Sequence, residues 1–135
     1  MNPLRFSKIL IADDSQAFRI KMKMILSDAE IGMKYYEAKD GNEAISQYIA
    51  HKPHVVIMDI NMPNVDGLKA TQAIMQHDPN AKIIVVSAVD NKHIVNIVMN
   101  TVGAKDYILK PCDSGLIVMA VSKQLVERKL HKIKP

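Results

Sequence analysis

Short apolar runs that each end on a polar side chain constrain this chain more than any other feature. Lys8-Ile9-Leu10-Ile11-Ala12 ends at Asp13 and Asp14, Val55-Val56-Ile57-Met58 ends at Asp59, and Lys82-Ile83-Ile84-Val85-Val86 ends at Ser87. A strand with one wet face alternates apolar and polar residues. A run that is apolar throughout and rich in Ile and Val is instead covered on both faces, as in a parallel sheet between two helical layers. Two weaker runs complete the set: Lys34 to Ala38, and Tyr107 to Leu109, which ends at Lys110-Pro111.

Helix signals fill the intervals. Ser15 is an N-cap for a helix from Gln16 to about Ser27, whose Phe18, Met22 and Ile25 recur at helical spacing. Asp40 caps a second helix, Asn42 to His51, closed by Lys52-Pro53, and Asp66 caps a third, Gly67 to His77, closed by Asp78-Pro79. A fourth covers Lys92 to Thr101 with Gly103 as its stop, and Asp113 or Ser114 caps a last one running to about Lys129. Strand and helix thus alternate five times. The expected fold is α/β: a five-stranded parallel sheet, doubly wound as (βα)5, with right-handed crossovers and the flavodoxin-like arrangement.

A length of 135 residues suits one domain and one core. The hydrophobic fraction of 48% argues against disorder. No apolar run reaches the roughly 20 residues that span a bilayer, and Met1 to Ser7 lacks the apolar core of a signal peptide. The expected location is therefore cytoplasmic, with no membrane association. Cys112 is the sole cysteine, so no internal disulfide can form. The whole net charge of +4 lies beyond Ser122, where Lys123, Arg128, Lys129, Lys132 and Lys134 face Glu127 alone. Such a tail is a solvated helix end at the negative pole of the dipole, or a contact for nucleic acid or an acidic partner.

In doubly wound sheets the working site lies beyond the carboxyl ends of the strands. Asp13, Asp14, Asp59, Ser87 and Lys110 would meet there, although they are scattered through the sequence. Each alone has a structural explanation as a helix cap or surface group; their joint placement at four strand ends does not. Clustered carboxylates need a cation, and oxygen donors without His or Cys at ligand spacing favour Mg²⁺. A carboxylate can attack phosphorus to give an acyl phosphate if the phosphoryl charge is neutralised. Lys110 and Ser87 fit that neutralising role beside a metal.

At these residues the sequence resembles the receiver domains of two-component response regulators, of the stand-alone, chemotaxis-regulator-like kind. The resemblance runs from about Ser7 to Lys129. It is carried by Ile9 to Ser15, by Val55 to Leu68 with its Met62-Pro63-Asn64-Val65-Asp66-Gly67 loop, by Ile83 to Ala88, and by Gly103 to Pro111. It implies a receiver domain over residues 1–130 and a basic tail over 131–135. It also implies that Asp59 is the phosphoacceptor and that Asp13, Asp14, Asp59 and the backbone carbonyl of Asn61 hold Mg²⁺. Ser87 would bond the phosphoryl group, Tyr107 would be the aromatic switch, and Lys110 would pair with the phosphoryl oxygens. Pro111 suggests a cis peptide that aims Lys110, Gly67 allows close backbone approach, and Ala88 leaves room for the donor. No catalytic group of the pattern is lost.

The implied function is a phosphoacceptor that catalyses only its own phosphorylation and dephosphorylation and is not otherwise an enzyme. Its donor would be a histidine kinase or phosphotransfer protein, and its output a downstream protein rather than DNA, since no DNA-binding motif fits the chain. It would act as a monomer or a phosphorylation-dependent dimer. The alternative is a non-catalytic interaction scaffold. Helix 4 carries Ile94, Val95, Ile97, Val98 and Met99, which cannot all face inward; helix 5 opens with Leu116, Ile117, Val118, Met119 and Val121. The face of helix 4, strand 5 and helix 5 is thus an output or dimer surface, or extra core. On helix 1, Ala17, Ile20 and Met24, flanked by Arg19, Lys21 and Lys23, form either a docking site for a kinase helix or a solvated basic face. Competing chemistries lack their groups. Asn61 stands where an aspartate-nucleophile phosphatase needs its second Asp, a flavin site would need a hydroxyl-rich loop in place of Asp13-Asp14, and no P-loop is present.

Overall fold

A computed structural model of the chain describes the backbone of residues 3–133 and the side chains of residues 4–127. The strands are β1 (Lys8–Ala12), β2 (Lys34–Ala38), β3 (Val55–Met58), β4 (Ile83–Ser87) and β5 (Asp106–Leu109). They form one parallel sheet in the order β2-β1-β3-β4-β5. The helices are α1 (Gln16–Asp28), α2 (Gly41–His51), α3 (Gly67–His77), α4 (Lys92–Asn96) and α5 (Ser114–Ile133). A 3₁₀ turn, Pro3–Phe6, precedes β1.

The expected caps are in place and set where each helix leaves its strand. Ser15 Oγ accepts the Phe18 N–H, Asp40 Oδ1 that of Glu43, and Asp66 Oδ1 that of Lys69. The Glu43 carboxylate reaches back to the Lys39 N–H, so the start of α2 is closed from both directions.

Alternate residues of each inner strand feed opposite cores. Ile9, Ile11, Val55, Ile57, Ile84 and Val86 pack with Met22 and Leu26 of α1 and Ile117, Val121 and Leu125 of α5. Leu10, Ala12, Val56, Met58 and Ile83 pack with Ala44 and Tyr48 of α2 and Ala70 and Ile74 of α3. Val85, Ile60, Val98 and Ala104 form a third cluster that seats Tyr107. β2, on the sheet edge, is mostly half-buried, which is why its sequence signal is weak.

One element departs from expectation. The single helix predicted over residues 92–101 is an α-helical turn followed by a π-helical segment, Ile97–Val102. Residue type does not separate i→i+5 from i→i+4 bonding, so periodicity could not foretell the change. Its end is as expected: Gly103 adopts φ +97° while its N–H and that of Ala104 both bond the Val98 carbonyl. The last helix continues past Lys129 to Ile133. Of the predicted basic tail, Lys123 is exposed; the side chains of Arg128, Lys129, Lys132 and Lys134, and the 131–135 tail assignment, lie outside the described residues.

Candidate functional site

Strand register creates the site. Ala12 pairs with Met58, so the next residues, Asp13 and Asp59, leave the sheet side by side, and Asp59 N–H bonds the Ala12 carbonyl at 2.9 Å. On the other flank Ser87 pairs with Leu109, and the Lys110 N–H bonds the Ser87 carbonyl at 2.9 Å. One carboxylate oxygen from each of Asp13, Asp14 and Asp59 lies within 4.8 Å of the others. Asp13 and Asp59 are only 1% and 5% exposed, whereas Asp14 faces solvent.

Two buried carboxylates demand positive charge, and Lys110 supplies it. Its Nζ lies 2.7 Å from Asp13 Oδ2 and 3.4 Å from Asp59 Oδ2, and 4.0 Å from the centroid of the Phe18 ring. Burial pulls the Lys110 pKa down, but the Asp13 hydrogen bond and the charges of Asp59 and Asp13 outweigh it, so the net shift is upward. The Lys110–Pro111 peptide is cis, as expected.

Asp13 is restrained on every side: its N–H bonds Ala38 O at 2.9 Å, its Oδ1 accepts Ser15 N–H at 2.8 Å, and its carbonyl accepts Arg19 Nη1 at 2.6 Å. Among the described residues, no hydrogen bond holds the Asp14 side chain. Asn61 is exposed, and no donor reaches its carbonyl among the described residues. The loop that carries it is pinned at its far end. Asn64, at φ +65°, donates to Asp40 Oδ2, and Gly41 N–H bonds Val65 O. A Cβ on Gly67 would lie 1.8 Å from the Asp59 carbonyl oxygen, so only glycine fits beneath the acid.

Ser87 and Tyr107 stand next to this ionic cluster and are tied to each other. Ser87, fully buried, accepts the Val89 N–H on its Oγ at 3.3 Å, and the Tyr107 hydroxyl donates to the Val89 carbonyl at 2.6 Å. Burial raises the Tyr107 pKa; the Ser87 hydroxyl opposes the shift, and the charges of Asp59 and Asp90 add to it. Asp13, Asp14, Asp59, Asn61, Ser87 and Lys110 thus lie at the carboxyl edge of the sheet or on its loops, and Tyr107, within β5, reaches that edge through its hydroxyl. Three contributors were not foreseen: Phe18 beneath the ammonium, Arg19 on the Asp13 carbonyl, and Val89 between Ser87 and Tyr107. Helical periodicity marked Phe18 only as core, Arg19 stood out only as part of the basic flank of helix 1, and nothing in the sequence marked Val89.

The donors are all oxygen, with no nitrogen or sulfur ligand within the cluster, which suits a hard divalent cation such as Mg²⁺. The response regulator receiver domain family matches residues 9–122. The chain belongs to that family: it is a phosphoacceptor response regulator, and receiver domains bind Mg²⁺ at such an acidic pocket. Within the family it is CheY-like. Chemotaxis protein CheY of Thermotoga maritima is 41% identical over 116 residues, covering 86% of this chain and 95% of that one. CheY of Bacillus subtilis is 39% identical over 119 residues, covering 87% and 97%. Among solved structures, the CheX–CheY–BeF3–Mg²⁺ complex from Borrelia burgdorferi matches with a TM-score of 0.78 at 33% identity, covering 87% of each chain. No helix among the described residues is long and apolar enough to cross a membrane.

Proposed function

We propose that Asp59 is the phosphoacceptor and that Asp13, Asp14, Lys110, Ser87 and Tyr107 serve it. An Asp59 carboxylate oxygen attacks the phosphorus of a phosphohistidine on a histidine kinase or phosphotransfer protein. The O–P bond forms as the P–N bond breaks, and the imidazole leaves with the electron pair and takes a proton from solvent. Asp13, Asp14, Asp59 and the Asn61 carbonyl would hold Mg²⁺, which would supply positive charge to the phosphoryl oxygens. Lys110 exchanges its contact with Asp59 for one with the phosphoryl oxygens, and the exposed Ala88 leaves a way in for the donor. The reading rests chiefly on the Lys110 ammonium, which bridges two buried carboxylates from other strands at the place where new negative charge would arrive.

Ser87 turns its hydroxyl toward the phosphoryl group, which loosens the Val89 N–H and with it the carbonyl that holds Tyr107. Tyr107 and Leu109 line both grooves flanking β5, one against α4 and one against α5. Leu109, Leu116, Met119 and Val126 are exposed on the latter side. A change at Tyr107 thus reaches a largely apolar face suited to a downstream protein or a second copy of the chain. The protein turns over no separate substrate in this scheme and works in the cytoplasm as a 1–130 receiver unit. Acetyl phosphate with Mg²⁺ should add one phosphoryl group to the intact mass. The gain should vanish in Asp59→Ala and with EDTA; an unchanged gain in Asp59→Ala refutes the assignment.

A further inference from the structure

The peptide unit between Asp13 and Asp14 is the shortest link between two of the three clustered acids, and its oxygen is the Asp13 carbonyl. Arg19 Nη1 holds that oxygen at 2.6 Å. The same guanidinium is fixed by Nε to Glu37 Oε1 at 2.9 Å, and Lys23 Nζ holds the other Glu37 oxygen at 3.0 Å. The Arg19 side chain is only 14% exposed, whereas its anchor Glu37 is 36% exposed. The brace ties the first turns of α1 to the edge strand β2, directly behind the acids. Asp14 needs such a brace, because among the described residues its own side chain has no hydrogen bond. Its carboxylate can be placed only by the backbone that carries it.

We infer that Arg19 is a positioning residue for the divalent-cation pocket: through the Asp13 carbonyl it sets the plane of the Asp13–Asp14 peptide and so the approach of the Asp14 carboxylate to those of Asp13 and Asp59. Glu37 is its anchor, and Lys23 in turn holds Glu37. The inference rests on the reading of the three acids as the Mg²⁺ ligands. The guanidinium touches neither ligand oxygens nor reacting atoms. It acts through geometry alone, in the way that outer-shell partners fix metal ligands. Charge makes the direction of the effect informative. If Arg19 acted only as a nearby cation, removing it would tighten binding of another cation; if it positions the ligands, removing it weakens binding.

The test is Mg²⁺ affinity, measured by calorimetry with the metal alone and no phosphodonor, alongside thermal stability in EDTA. The unaltered chain should bind, Arg19→Gln should bind roughly tenfold more weakly, and Arg19→Lys, which keeps the charge but loses the guanidinium fork, should fall between. Glu37→Gln, which leaves Arg19 in place but frees it, should also weaken binding and guards against a fold defect in the Arg19 variants. The Arg19→Gln and Glu37→Gln losses should be less than additive in the double variant. Equal or tighter Mg²⁺ binding in Arg19→Gln and Glu37→Gln, with only the EDTA stability lowered, would overturn the inference and leave the metal site standing. Absence of Mg²⁺ binding in the unaltered chain would overturn both.

Discussion

Lys110 Nζ, beyond the end of β5, sits 2.7 Å from Oδ2 of Asp13, beyond the end of β1, and these two strands are separated in the sheet by β3 and β4. The contact crosses the mouth of the pocket above Asp59. A 22%-exposed ammonium thereby satisfies a carboxylate that has almost no access to water. In the resting protein the lysine does electrostatically what a bound cation would do, so lysine and metal should compete.

Lys110→Ala tests that competition. Losing the ammonium leaves Asp13 and Asp59 buried without their counter-charge and should cost about 1–3 kcal/mol in metal-free denaturation. Mg²⁺ should restore more stability to this variant than it adds to the parent, while phosphorylation by acetyl phosphate slows. The pair also predicts a pH dependence. Because the folded-state pKa of Lys110 is raised, its contribution is complete below the ordinary lysine value and disappears as pH rises through the folded value. The stability gap between parent and variant should therefore narrow in alkali.

Glu37 should behave oppositely. The Lys23 hydrogen bond, with Arg19 adding to it, holds its carboxyl below the ordinary glutamate value against some desolvation. Its contribution is present above that value and lost as pH falls through the lower folded value. The side chain is 36% exposed, so solvent screening keeps the effect small. Carboxyl-carbon NMR titration should show a depressed Glu37 midpoint that moves up in Arg19→Gln; an unmoved midpoint would detach Glu37 from the brace.

Two glycines should respond in contrasting ways to alanine. At Gly67 the new Cβ meets the Asp59 carbonyl oxygen at 1.8 Å, a backbone atom that cannot step aside, and the cost should exceed about 3 kcal/mol. At Gly115, in the first turn of α5, the nearest atom is Asp113 Oδ2 at 3.2 Å, the free end of a side chain. Helix propensity then offsets the contact, and stability should stay within about 1 kcal/mol of the parent. Chemical denaturation of both variants decides this.

Met119 is 70% exposed on the α5 groove, so Met119→Glu should leave stability within about 0.5 kcal/mol of the parent. If that face reads the switch, the same change should abolish phosphorylation-dependent association, with a protein partner or with a second copy, as followed by light scattering and pull-down on the phosphorylated protein. Unaltered association would assign the apolar residues to packing.

The fold was largely legible because its signals are local and redundant. Continuous Ile and Val runs located β1, β3 and β4, and Ser15, Asp40 and Asp66 each cap the helix expected of them. The acidic pocket was legible for a different reason: a parallel sheet delivers every strand's carboxyl end to one edge, so the polar residues there must meet. What stayed hidden depends on contacts between distant segments. The guanidinium of Arg19 looked like part of a basic rim on α1, since its partner Glu37 lies on the edge strand β2 and its second partner is a backbone carbonyl. Lys23, read the same way, is likewise committed to Glu37, which leaves Lys21 as the exposed cation beside Ile20 and Met24. The π-helical turn after α4 and the Ser87–Val89–Tyr107 link arise from backbone placement, to which residue type is nearly blind.

The most direct test of the central claim is to find where the phosphoryl group goes. After incubation with acetyl phosphate and Mg²⁺, borohydride reduction converts an aspartyl phosphate to homoserine, and peptide mass mapping locates it. Homoserine is expected at position 59 alone, dependent on Mg²⁺ and sharply reduced in Lys110→Ala. Homoserine at Asp13 or Asp14, or none at position 59 under conditions that add a phosphoryl group to the intact protein, would contradict that claim.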